Sequence, residues 1–129
     1  MTETDNFPGT EFAGCRIIAK IGQGGMGSVY TARHLALDKI VAVKILSQEL
    51  AREERNVDFF LREARSAAKL EHPNIVQVYN FGKDNGSYFI LMPYIEGRSL
   101  FDVIAEKGPM DAETATAIIL EVLDALGHA

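Results

Sequence analysis

The chain has 129 residues, a formal net charge of −5 and one cysteine. That length carries one domain with a modest core, and an acidic balance without a basic cluster argues against a nucleic-acid partner. Cys15 alone cannot make an internal disulfide and fits a reducing compartment. No apolar run approaches the length of a bilayer span, and the N-terminus lacks the basic and apolar regions of a signal peptide, so the expected location is cytoplasmic.

In chain order, residues 1–11 mix Thr, Glu, Asp, Asn, Pro and Gly without a period and read as a disordered lead-in. Strands are expected at residues 15–21, 28–34 and 39–46, with a turn at 35–38 between the last two. Residues 47–55 are polar and leave room for a short helical piece. Asn56 is the expected N-cap of a helix running to about Leu70, with Phe60, Ala64, Ala67 and Ala68 on one face. Pro73 stops it. Residues 75–83 and 87–92 form two more strands around the hairpin signal Asp84-Asn85-Gly86. Gly97 and Ser99 open a short helix to about Glu106, which Gly108-Pro109 breaks. Asp111 then caps a last helix with an apolar stripe of Ala115, Ile118, Ile119, Val122, Leu123 and Leu126. The expected fold class is α+β: a five-stranded antiparallel sheet with one large helix, followed by two helices.

Chemistry concentrates at two places. The first is Ile21-Gly22-Gln23-Gly24-Gly25-Met26-Gly27-Ser28-Val29. Each strand glycine costs roughly 0.5–1 kcal/mol relative to alanine, which a loop closing on a ligand would justify, because backbone N–H groups there can meet phosphate oxygens. An ordinary flexible hairpin is the plain alternative. Two unrelated nucleotide folds share this glycine spacing. A dinucleotide-binding turn must open a helix, whereas Ser28-Val29-Tyr30-Thr31-Ala32-Arg33 reads as a strand. No Gly-Lys-Ser/Thr follows, which removes a Walker-type loop. The second place is Lys44, inside the apolar run Ile40–Leu46. A lysine there is costly to bury unless paired, or else it sits at an edge and snorkels to water. Glu53, Glu54, Asp58, Glu63 and Glu71 are all nearby carboxylates, and composition does not choose among them.

Taken together, the glycine loop, Ala42-Val43-Lys44, Phe60-Leu-Arg-Glu63-Ala-Arg, His72-Pro-Asn-Ile-Val76 and Phe89-Ile-Leu-Met-Pro-Tyr-Ile-Glu-Gly97 resemble, in order and spacing, the N-terminal ATP-binding lobe of protein kinases. The doubled glycine followed by Met26-Gly27 is most similar to bacterial-type serine/threonine kinases. The resemblance implies that residues 12–96 are that lobe and residues 97–129 the start of the helical second lobe, which is incomplete. It implies ATP on residues 21–29, with Lys44 on the phosphates and Glu63 as its carboxylate partner. Val29 and Ala42 would press on adenine. Met92 would guard the back of the pocket, and Pro93 and Ile95 would form the hinge. Many relatives carry an acidic residue where Pro93 stands.

Phosphoryl transfer in this family needs an aspartate base and an asparagine and aspartate for Mg2+. Neither His-Arg-Asp nor Asp-Phe-Gly occurs in the sequence; Asn80-Phe81-Gly82 precedes the hinge and reads as the end of a strand. The resemblance therefore implies the ATP-binding portion of a serine/threonine kinase that is inactive in isolation. The Mg2+ ligands and the protein-substrate platform would lie elsewhere, and a membrane anchor outside these residues is compatible with it. A non-catalytic nucleotide- or protein-binding module is the alternative, and a dinucleotide-binding fold the remote one. With the sheet underside and last helix uncovered, the isolated chain is expected to be marginally stable and to self-associate. His34, His72 and His128 lack metal spacing; His72 is expected to cap the helix–strand turn.

Overall fold

A computed structural model describes residues 7–129. The strands are β1 (Glu11–Phe12), β2 (Cys15–Gln23), β3 (Gly27–His34), β4 (Lys39–Leu46), β5 (Asn80–Asp84) and β6 (Ser87–Pro93). The helices are α1 (Glu54–Ala68), α2 (Leu100–Lys107) and α3 (Ala112–His128), and a 3-10 turn at Leu50–Arg52 precedes α1. The strands form one sheet in the order β1-β2-β3-β4-β6-β5, antiparallel throughout. The five expected strands are β2 to β6. The addition is the two-residue β1, which pairs Phe12 with Cys15.

Residues 1–6 of the expected lead-in lie outside the described residues. Residues 7–11 of it make contacts with the sheet. Phe7 packs edge-on against Phe12, with ring centroids 5.4 Å apart, and lies 5.5 Å from the Tyr30 ring. The Gly9 N–H donates to the Ile17 carbonyl and the Ile17 N–H to the Thr10 carbonyl. An aromatic anchor thus offsets a polar, glycine- and proline-bearing composition.

Two other expectations shift for local reasons. β5 begins at Asn80 rather than residue 75. Its register pairs Asn80 with Leu91, so residue 78 would face Pro93, where β6 ends. Proline lacks the N–H a continued ladder needs, and the alternating residues 75–78 therefore have no strand to pair with. Asn80-Phe81-Gly82 accordingly opens this strand instead of closing it. Asn56 does not cap α1, which starts after an extended Glu53. Asn56 lies in the first turn, and its side-chain amide donates to the Leu50 carbonyl at 3.0 Å, tying the 3-10 turn to the helix.

The turn and cap signals elsewhere hold. Asn85 and Gly86 take φ 47° and 83°, the positive pair that a two-residue hairpin requires. The Ser99 hydroxyl accepts from the Asp102 N–H at 3.1 Å, and Gly108 ends α2 at φ 80°. Asp111 accepts from the Thr114 N–H at 2.7 Å to cap α3. Hydrogen bonds from the Thr114 side chain and backbone hold the Asp111 carboxyl below its ordinary pKa.

The sheet has two apolar faces. On one, Phe12, Cys15, Ile17, Tyr30, Ala32, Val41, Val43, Ile45, Phe89 and Leu91 form a buried cluster; desolvation there raises the Cys15 thiol pKa. On the other, Leu46 and Ile90 meet Phe60 and Ala64 of α1. Fully burying side chains of this size contributes ~1.5–3 kcal/mol each. The helices α2 and α3 touch this body lightly. His72 Nε2 meets Asp124 Oδ2 at 3.2 Å, and the Asn74 amide donates to the Glu121 carbonyl at 3.0 Å.

Gly27, at the start of β3, is required by the fold itself. It pairs with Leu46, and a Cβ there would lie 2.0 Å from the Ile45 carbonyl oxygen. Backbone would have to move. Gly27→Ala is expected to destabilise the chain by about 2 kcal/mol or more, measured by denaturant unfolding, whereas Gly24→Ala, which meets no atom within 4 Å, should leave stability nearly unchanged.

Candidate nucleotide-binding site

The glycine loop is the connection between β2 and β3. Gln23 pairs with Ser28 and Gly22 with Val29, and the Gly24 N–H closes the turn on the Gly27 carbonyl at 2.8 Å. Ile21, Gln23, Gly24 and Gly25 are exposed; Met26, Ser28 and Val29 are half-buried. A Cβ on Gly24 or Gly25 would meet nothing within 4 Å, and one on Gly22 only the Val29 Cβ at 4.0 Å. None of these three has a positive φ. Neither packing nor backbone conformation explains why they are glycine, so the surface they leave open suits close approach by another molecule.

Strand register decides which residues share that surface. Lys44 lies opposite Val29 on β3 and Ile90 on β6. Two residues away, Ala42 lies opposite Thr31 and Met92. Directly paired residues share a face, and strand side chains alternate. Val29, Ala42, Lys44 and Met92 therefore occupy one face of the sheet, the face against which α1 packs. Lys44 is half-buried and Ala42 is buried. The apolar run around Lys44 is thus not an exposed edge but a central strand between β3 and β6.

Glu63 lies on α1 but is exposed, whereas Phe60 and Ala64 face the sheet. Among the ion pairs of the described residues, none joins Lys44 to Glu63. Pro93 ends β6 opposite Val41, and Ile95 beyond it is 65% exposed. A cavity of about 330 Å³ brings Pro93 and Ile95 beside His72, Ile75 and Val76. Another, of about 540 Å³, runs beside the glycine loop, and its walls include Ser28, Tyr30, Ile45 and Ser87 but not Lys44. By the same alternation these lie on the opposite face from Lys44. Gln23, Gly24, Gly25 and Gly27 border it, so the loop separates two surfaces of different chemistry.

His72 does cap the turn after α1: its Nδ1 accepts from the Asn74 N–H at 3.0 Å. That bond leaves Nε2 as the donor to Asp124. His72 and Asn74 also join that turn to α3. Sequence reasoning assigned the turn to His72 but not this second contact, because its partner lies 52 residues away. Met26 likewise makes a contact that the sequence did not disclose: it packs against the cluster of Leu46, Phe60, Ala64 and Ile90.

No helix of the described residues is long and apolar enough to cross a membrane. Residues 15–129 match the protein kinase domain family. The chain is 40% identical over 129 residues to the serine/threonine-protein kinase pkn3 of Myxococcus xanthus, covering 98% of this chain and 24% of that protein. It is 40% identical over 114 residues to the serine/threonine-protein kinase PrkC of Bacillus subtilis, covering 88% and 18%. The crystal structure of the Mycobacterium tuberculosis PknI kinase domain superposes with a TM-score of 0.78 at 32% identity, over 92% of this chain and 48% of that one. The chain therefore spans about a quarter or less of the length of these curated relatives. The match extends through both the sheet and the helices after it, and on that extent the chain belongs to the protein kinase domain family.

Proposed function

We propose that this chain is the ATP-binding part of a serine/threonine protein kinase, an enzyme that moves the γ-phosphate of ATP to protein hydroxyls. One observation carries the reading. Strand register sets Val29, Ala42, Lys44 and Met92 on a single face, and the loop leading into Val29 leaves open space at Gly24 and Gly25 where side chains would be. In this reading residues 21–29 cover the phosphates and Lys44 supplies them a fixed positive charge. Val29 and Ala42 hold the adenine between them, Met92 closes the back of its pocket, and Pro93 and Ile95 offer the hinge backbone. Glu63 pairs with Lys44 once α1 shifts inward, since the helix now presents it to solvent. Mg2+ would neutralise charge on the phosphates. Its family ligands are the asparagine of the catalytic loop that opens with His-Arg-Asp and the aspartate of Asp-Phe-Gly; neither motif occurs in these 129 residues, so transfer needs residues beyond them. Residues 12–96 act as one lobe and residues 97–129 contribute to the next.

Calorimetric titration with Mg·ATP tests the reading. Binding should be measurable, and Lys44→Met should weaken it about tenfold or more, equivalent to roughly 1.4 kcal/mol, without lowering the unfolding midpoint. Equal affinity in the variant, or no binding to either chain, contradicts it.

A second reading, a non-catalytic binding module, draws on the last helix. Ile119, Val122, Leu123 and Leu126 are 54%, 46%, 55% and 63% exposed. A stripe of this kind favours association. Sedimentation velocity on the isolated chain should show mass rising with concentration; a monomer across the accessible range contradicts self-association through this surface.

A further inference from the structure

We infer that Met26 is a positioning residue that couples the glycine loop to α1. Two independent contacts hold the loop tip. The Met26 carbonyl accepts from the Ser47 N–H at 3.1 Å, just beyond the end of β4. The Met26 side chain packs against the cluster whose buried members are Leu46, Phe60, Ala64 and Ile90. Phe60 and Ala64 belong to α1, and they are the only buried residues of that helix among those described. The loop and the helix therefore share one apolar cluster, although α1 begins more than 25 residues after Met26 and neither element is paired to the other by backbone.

The chemistry of the residue suits the position. Methionine is unbranched and adapts to irregular gaps, so it can follow the loop while keeping contact with the helix. The neighbours of Met26 in sequence cannot do this, since Gly25 and Gly27 carry no side chain. Packed clusters are bistable rather than continuously deformable. A movement of the loop tip that withdraws Met26 leaves a gap in the cluster that Phe60 and Ala64 share, and an inward shift of α1 rearranges that cluster. In the present arrangement Met26 is seated and Glu63 is exposed without an ion pair to Lys44. Met26 thus links what covers the nucleotide to where the carboxylate on α1 stands. That consequence rests on the ATP reading above; the coupling itself does not.

Residue-resolved hydrogen exchange on the nucleotide-free chain tests the coupling separately. The Ser47 amide reports the loop contact, and the amides of residues 60–64 report α1. Met26→Ala should speed exchange at both reporters about fivefold, and Met26→Leu, which keeps an apolar side chain of similar volume, should stay near the native rates. Val57 packs on the same cluster from α1, so Val57→Ala should speed exchange at Ser47 and Gly24 as well as in its own helix. If each substitution loosens only the element that carries it, the coupling is overturned. Should Met26→Ala fail to fold, the Val57→Ala result decides alone. Failure of Mg·ATP to bind would remove the functional reading and leave these exchange rates unaffected.

Discussion

Strand β4 is the constraint on which the rest of the molecule depends. It is central in the sheet, with β3 on one side and β6 on the other, and both of its faces are covered. Val41, Val43 and Ile45 enter the larger cluster. Ala42, Lys44 and Leu46 point to the side where α1 packs. Because side chains alternate, a slip of one residue would send Lys44 into the apolar cluster and Val43 or Ile45 to the other face. Burying that ammonium without a partner would cost several kcal/mol. Apolar packing on one side therefore fixes the lysine on the other, and core stability and the geometry of the candidate site come from the same eight residues.

The glycines divide between two purposes. Gly27 lets β3 approach β4 so closely that no side chain fits. Gly24 and Gly25 have no such need and leave an opening. Between them, Met26 reaches from the loop into the cluster that seats α1. The loop is consequently less independent than its glycine content suggests. Its tip is held by a backbone hydrogen bond to Ser47 and by apolar contact, while its first half remains exposed. On the opposite face a cavity of about 540 Å³ borders the same loop. Its walls include Tyr30, Ser87 and Ile45 but neither Lys44 nor Met92, so size alone does not identify the site.

Much of this was legible in the sequence where local chemistry decides. The Asn85-Gly86 hairpin and the Ser99 and Asp111 caps each depend on residues within four positions, and each appears as expected. The β-branched residues after Gly27 marked a strand and separated this loop from a dinucleotide-binding turn. What was not legible depends on partners far along the chain. The alternation of residues 75–78 looked like a strand, and only the pairing of Asn80 with Leu91 shows that nothing remains for them to pair with. Phe7 gave no sign that it would dock on Phe12 and Tyr30 and order the segment beside it. For the candidate site, order and spacing singled out the lysine, but only register shows which residues share its face. The exposure of Glu63 was likewise hidden, because it depends on how α1 rotates to bury Phe60 and Ala64.

The most direct measurement is a two-dimensional NMR titration of the isotopically labelled chain with Mg·ATP, mapping shift changes residue by residue. On this account they concentrate in residues 21–29, at Ala42 and Lys44, and from Met92 to Ile95, while Ser87 and Phe89 on the other face stay put. Changes confined to the cavity lined by Tyr30, Ile45 and Ser87, with Lys44 and Met92 unmoved, would contradict it.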